Sequence, residues 1–195
     1  MNDEQKKMTP LPTGQVLPNI WAIDNQFVNF FILRHGDAVI AIDTGADAQA
    51  SLAALKTLDI APEQINTVLL THDHGDHTAL LSQFTNAQVY AFGNSIFKHD
   101  HIQYTQVTAG ETLDIHGLSV QVIHTPGHKT DHVCYLLGNG ILFAGDVMSI
   151  QNGETALFNE VYNEDNEQQA HDIQQLKKRT DITHILTAHY GLLTI

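Results

Sequence analysis

Cysteine is almost absent from this 195-residue chain: there is one, Cys134, so no intramolecular disulfide can form. Its setting, His132-Val133-Cys134-Tyr135-Leu136-Leu137, reads as a strand interior, which makes it a buried structural thiol rather than a nucleophile. Basic side chains are scarce too. Nine Lys and Arg stand against 22 acidic residues, a formal charge of −13 with no basic stripe, which excludes a nucleic acid partner. No apolar run is long enough to span a bilayer, and the polar start Met1 to Met8, followed by Pro10 and Pro12, does not read as a signal peptide. The expectation is a cytoplasmic protein with no membrane partner. No Ser/Gly linker, charge block or short-period repeat divides the chain. With 43% hydrophobic content it suits one domain over 1–195, residues 1–18 being an extended N-terminal segment. The oligomeric state has no signal in the sequence.

What is abundant is histidine, 13 in all, and its placement is not random. Thr71-His72-Asp73-His74-Gly75-Asp76-His77-Thr78 packs three imidazoles and two carboxylates into six residues directly after the apolar run Val68-Leu69-Leu70. Neutral imidazole and carboxylate are donors that borderline divalent cations such as zinc prefer, and a tight turn leaving a strand can aim several at one point. Three later residues repeat the placement: His128 after Val120 to Ile123, Asp146 after Ile141 to Ala144, and His189 after Ile185 to Ala188. Ligands in open sheets gather at the carboxyl ends of strands, so four such ends imply one convergent site. Five histidines and two aspartates exceed one tetrahedral ion and suit two, roughly 3.5–4 Å apart and bridged by a carboxylate.

The set His72-x-His74-x-Asp76-His77, Thr125-Pro126-Gly127-His128, Gly145-Asp146 and His189, with Ala41-Ile42-Asp43-Thr44-Gly45 as a first motif, resembles the metallo-β-lactamase-fold hydrolase superfamily, as a small glyoxalase II-like or lactonase-like member. The resemblance runs from about Asn19 to Gly191. It implies an α/β, four-layer αββα sandwich. It also implies that His72, His74 and His128 hold a first ion, that Asp76, His77 and His189 hold a second, and that Asp146 bridges them. The ions are expected to be Zn2+, with Fe or Mn as alternatives. Two departures stand out. True β-lactamases commonly carry Cys or His where this chain has Asp146, and the run Lys129-Thr130-Asp131-His132 after His128 differs from relatives that often carry Thr-Pro-Gly-Ser or similar.

Coarse periodicity fits that architecture. Strands are expected at 20–24, 28–34 and 38–42, turning at Asn25-Gln26 and Gly36-Asp37, then at 66–70, 88–92, 106–123 with a hairpin at His116-Gly117, 132–137, 141–144 and 183–188. Helices are expected at 46–58, with Asp47 in its first turn, at 78–84 and at 164–178, with a helical turn at 94–101. The Asn/Gln-rich acidic stretch Asn159 to Gln169 reads as a solvated loop and helix start.

The implied activity is hydrolysis of a small carbonyl ester, thioester or lactone by a metal-bound hydroxide, with a small-molecule substrate and Asp76 doubling as ligand and proton acceptor. Two other classes remain open: a mononuclear iron oxidoreductase resembling the persulfide dioxygenases, and a non-catalytic metal-binding module. With six residues after His189, the expectation is that the helical domain by which glyoxalase II enzymes bind glutathione has no room here. Asp43 either orients a ligating imidazole or caps the helix after Gly45. His35, His99, His101, His116, His124, His132, His171 and His184 read as surface or packing residues, His132 being placed to approach the site. Tyr190 and Phe158 to Tyr162 line either the substrate pocket or the core.

Overall fold

A computed structural model describes residues 3, 5–93 and 102–195. The first sheet begins with β1 (Gly14–Leu17), β2 (Ile20–Asn25), β3 (Val28–His35) and β4 (Ala38–Ile42), paired antiparallel as a meander. It continues with β5 (Thr67–Leu69), β6 (Gln88–Phe92) and β7 (Tyr104–Val107), all parallel to β4. Helix α1 (Ala48–Thr57) makes the crossover from β4 to β5. The second sheet holds β8 (Thr112–Ile115), β9 (Leu118–His124), β10 (Val133–Leu137), β11 (Ile141–Gly145), β14 (His184–Thr187) and β15 (Gly191–Thr194), in the order β15-β14-β11-β10-β9-β8. Only β11 and β14 pair in parallel, connected by a small hairpin of β12 (Ser149–Gln151) and β13 (Glu154–Ala156) and by helix α3 (Asn166–Lys177).

Period-two alternation assigns the layers. In β3, Phe31 and Leu33 enter the core between the sheets while Phe30 and Ile32 face the outer layer that holds Leu55 of α1. In β10, Val133, Tyr135 and Leu137 face inward while Cys134 and Leu136 face Ile173 and Leu176 of α3. Strands with both faces covered cannot alternate hydrophobic and polar residues, and β10 and β11 are buried at every position. The result is helix, sheet, sheet, helix, the expected four-layer α/β sandwich. Helix α3 buries Gln169, Asp172, Ile173 and Leu176, one stripe at helical spacing.

The expected strands and two long helices are present within a few residues. Asp47 is the N-cap of α1, accepting from the Ala50 amide at 2.8 Å, rather than a first-turn residue. The helix expected at 78–84 starts earlier: α2 (Gly75–Thr78) opens inside the histidine motif, and a separate 3₁₀ turn covers Leu81–Gln83. The segment before residue 18 holds a 3₁₀ turn, Gln5–Lys7, and the edge strand β1. β1, β12, β13 and β15 are too short for a periodic signal. The turn expected at 94–101, with His99 and His101, lies outside the described residues.

Candidate metal centre

The seven residues singled out in the sequence meet at one edge of the sandwich. His72 and His74 follow β5, Asp76 and His77 lie in α2, His128 follows β9, Asp146 follows β11 and His189 follows β14. Ligand atoms of His72, His74, His128 and Asp146 all lie within 4.8 Å of one another, as do those of Asp76, His77 and His189. Asp146 sits between the groups. Its Oδ2 is 3.4 Å from His128 Nε2 and 3.2 Å from His189 Nε2, while its Oδ1 is 3.4 Å from His77 Nε2. Asp76 Oδ2 is 3.6 Å from His189 Nε2.

Two glycines permit this approach. Gly145 has φ +51°, and a Cβ there would meet His132 Nε2 at 2.6 Å and Thr71 Oγ1 at 2.9 Å. Gly127 lies against α3, where a Cβ would come 2.1 Å from the Gln169 amide nitrogen. The loop carrying His128 is therefore tied to that helix, with the Asp165 amide donating to Gly127 O at 2.9 Å and the Gly127 amide donating to Asp172 Oδ2 at 3.1 Å.

Hydrogen bonds on the far side of four rings decide which nitrogen faces the centre. His77 Nδ1 donates to Asp43 Oδ2 at 2.8 Å, His189 Nδ1 to the Phe27 carbonyl at 2.7 Å and His128 Nδ1 to Asn163 Oδ1 at 2.9 Å. The Thr71 hydroxyl gives its proton to Asp43 Oδ2 at 2.8 Å, so it accepts from His72 Nδ1 at 3.0 Å. In its neutral form each ring turns an Nε2 lone pair inward, the arrangement that outer hydrogen bonds impose on metal-binding imidazoles. His72 Nε2 and His128 Nε2 crowd His74 Nδ1 at 2.9 and 3.1 Å, three nitrogens with at most one proton among them. His77 Nε2 and Asp146 Oδ1 are buried without any hydrogen-bond partner. Inward lone pairs, two orphaned buried atoms and a bridging-position carboxylate fit a pair of divalent cations.

The electrostatics divide the rings. Burial, reinforced by His77, holds His72 well below the ordinary imidazole value, and burial lowers His74 and His128 despite the attraction of Asp146. Burial is the largest influence on His77 and His189 and opposes their charge, but the carboxylates together overcome it, Asp146 with Asp43 and Asp76 at His77 and Asp146 with Asp76 at His189, and raise both, His77 well above the usual range. Asp146 is itself held well down: burial pushes it up, and His189 and His77 overcome that.

Asp43 orients imidazoles; Asp47, not Asp43, caps the helix. His132 does approach, its ring centroid 5.1 Å from that of His72, yet both its nitrogens are engaged. Nδ1 meets Thr125 Oγ1 at 2.8 Å, and Nε2 accepts the Asp146 amide at 3.0 Å. It lies outside both ligand groups. Cys134 is buried, its pKa pushed up to about 12 by that burial. Phe158 and Tyr162 line the cavity over the centre, and Tyr190 lines a neighbouring groove with its ring 5.8 Å from Phe158. Asn163 and Gln169 were hidden within the stretch read as a solvated loop. Gln169 is fully buried, donating to the Asp146 carbonyl at 3.2 Å and to Asn163 Oδ1 at 2.8 Å. An isolated amide in a polar loop has no sequence signature that distinguishes it.

Architecture and site together define a metallo-β-lactamase-fold protein with a candidate two-ion centre. The chain belongs to the metallo-beta-lactamase superfamily, whose family model matches residues 23–189. Among curated proteins it is 37% identical over 164 residues to a hydroxyacylglutathione hydrolase of Aeromonas salmonicida, covering 82% of this chain and 59% of that protein. It is 28% identical to the lactamase-like protein ptaB of Pestalotiopsis fici, over 75% of this chain and 50% of the relative. The chain thus spans about half the length of the curated relatives it matches. Its fold is similar to a metallo-beta-lactamase family protein of Thermus thermophilus, with TM-score 0.74, 21% identity and coverage of 91% and 75% of the two chains. It is also similar to a solved hydrolase of the beta lactamase superfamily, with TM-score 0.68, 26% identity and coverage of 85% and 74%. No described helix is long and apolar enough to cross a membrane.

Proposed function

We propose that the chain is a metal-dependent hydrolase of small carbonyl esters, thioesters first and lactones next, working with two divalent ions, zinc by the chemistry of its donors. The observation that carries this reading is the convergence of the seven side chains, with His77 Nε2 and Asp146 Oδ1 buried and without a hydrogen-bond partner. His72, His74 and His128 would hold one ion, Asp76, His77 and His189 the other, with Asp146 between them. When bound, such ions supply Lewis acidity that brings the pKa of water to about 7.

The protein supplies the rest. Asp76 is the most exposed carboxylate of the set, its side chain 26% accessible against 3% for Asp146, and it borders the cavity. That exposure supports a role for Asp76 in orienting an incoming water and taking its proton. Phe27 and Phe158 pack against the His189 ring at 5.9 and 5.4 Å between centroids and keep bulk water off that side. Cys134, buried and with its pKa pushed up to about 12, offers no thiolate, so no covalent intermediate on that side chain is needed. Relatives named hydroxyacylglutathione hydrolases favour a thioester within the wider class.

The test is a panel of neutral thioesters, S-lactoylglutathione, lactones and phosphodiesters offered to metal-loaded protein, with metal content measured beside it. About two zinc ions per chain and thioester turnover that a chelator abolishes are expected. One iron with sulfide-dependent oxygen uptake would replace this reading by the oxidoreductase, and a silent panel would leave a metal-binding module.

A further inference from the structure

The cavity above the centre has a wall that belongs to none of the strand ends. Beyond the 3₁₀ turn Gln5–Lys7, Met8 is 9% exposed and lines the cavity together with Gln5, Phe27, Phe158 and Tyr162. This N-terminal strap is latched beside a ligand. The Thr9 amide donates to the His189 carbonyl at 2.9 Å, and Leu11 is held in both directions by the Asn29 side chain, its amide donating to Oδ1 at 2.7 Å and its carbonyl accepting from Nδ2 at 2.8 Å. Asn29 is fully buried, and its own amide donates to the Ala188 carbonyl at 2.6 Å. Met8 is therefore held beside His189 by the main-chain bond of the next residue, Thr9, and by the Asn29 side-chain clamp on Leu11.

The chemistry of the walls is one-sided. No lysine or arginine stands among the described side chains that line the cavity. Lys129, next to His128, is committed to Asp73 and Asp131 at 2.8 and 3.3 Å. Away from the ligand cluster, a carboxylate on the substrate would find no lysine or arginine counter-charge among those side chains, and the chain is strongly acidic. Thioether and aromatic groups instead offer dispersion contacts and shape tolerance to an alkyl chain. A volume of about 370 Å³ accommodates a medium acyl group and sits in the lower part of the usual range for ligand sites, about 300–1,000 Å³.

We propose that Met8, on its latched strap, is a specificity-determining residue, and that the site selects uncharged esters or thioesters with an apolar acyl chain of several carbons. This rests on the hydrolase reading above and goes beyond it in assigning the acyl pocket.

The test uses the full metal-loaded chain and acetyl, butyryl and hexanoyl thioesters of N-acetylcysteamine. kcat/KM should rise by up to about fourfold per added methylene, mainly through KM, as expected for burying each one. S-lactoylglutathione should fall below the hexanoyl ester. Met8→Ala should cut the hexanoyl-to-acetyl ratio roughly tenfold, Met8→Leu should restore most of it, and Met8→Lys should shift preference toward the anionic glutathione thioester. Calorimetric titration of metal-free protein with hexanamide and acetamide supplies a reading independent of turnover: hexanamide should bind more tightly, and Met8→Ala should narrow the gap. A flat acyl series, a wild-type preference for the glutathione thioester, or ratios indifferent to all three substitutions would overturn the assignment. No metal-dependent turnover of any ester, with the hexanamide preference intact, would overturn the hydrolase reading while leaving an apolar pocket walled by Met8.

Discussion

The two halves of the candidate centre use the same side-chain types and are electrostatically opposite. In the group of His72, His74 and His128 burial dominates and each ring favours the neutral form. In the group of His77 and His189 the carboxylates prevail over burial and favour the protonated form. The difference lies in what faces each ring: His72 meets mostly other imidazoles, whereas His77 sits against Asp146, Asp43 and Asp76. A cation entering the first group displaces little; one entering the second competes with protons. Two candidate ligand groups of unequal proton affinity follow from nearly equal donors.

The substitution expected to have the largest effect removes what joins the halves. Asp146→Ala takes away the oxygen that both groups share and leaves buried imidazoles facing one another, so loading of the second ion and turnover should fall by more than the roughly 100-fold typical of lost outer hydrogen bonds. Metal content after dialysis and ester turnover check it, and a variant retaining two ions and full rate would remove Asp146 from the bridge.

Asp43→Asn comes next, because Asp43 serves both halves, His77 directly and His72 through Thr71. Metal affinity in a chelator competition should weaken about 10–100-fold. Equal loss at both ions would mean that the two chains of hydrogen bonds work alike. Loss at the second alone would sharpen the contrast.

The metal-free protein should show the opposition as a stability maximum near pH 6.5, the ordinary imidazole value. His77 and His189, raised in the folded state, contribute stability that is complete below that value and is lost as pH climbs through their folded pKa. His72, His74, His128 and His132, all lowered, have the reverse dependence: the unfolded chain takes up their protons first, so stability drains as pH falls below about 6.5. Thermal unfolding between pH 5 and 8.5 should give a melting temperature that declines by a few degrees on both sides. A monotonic profile would mean that one half alone governs.

The smallest effect belongs to Lys129→Met. Its ammonium joins the loop before α2 to the loop after His128, but a group 21% exposed gains little from an ion pair, about 1 kcal/mol at most. A loss of about 2–4 °C in melting temperature is the expected ceiling. A greater loss, with weakened metal binding, would make the pair a clamp on both ligand loops.

Much of this molecule can be read along the chain. The unbroken apolar runs Phe30 to Leu33 and Val133 to Leu137 mark strands covered on both faces, and every proposed ligand follows an apolar run that ends at the same edge. Strands of three or four residues, such as β1, β12, β13 and β15, hold too little periodicity to be legible, and Gly75 and Asp76 look like loop chemistry although α2 begins there.

By itself, then, the sequence determined the strand and helix order and the donor types, since apolar runs and spacing express which segments are buried and what chemistry leaves each strand, while the layers were what the family resemblance implies. Only tertiary structure decided which ring nitrogen looks inward, that Asn163 and Gln169 turn into the protein, and that Met8 walls the cavity. Those outcomes depend on partners far apart in the chain, such as Phe27 and His189 or Leu11 and Asn29, and a hydrogen bond between distant residues leaves no local pattern.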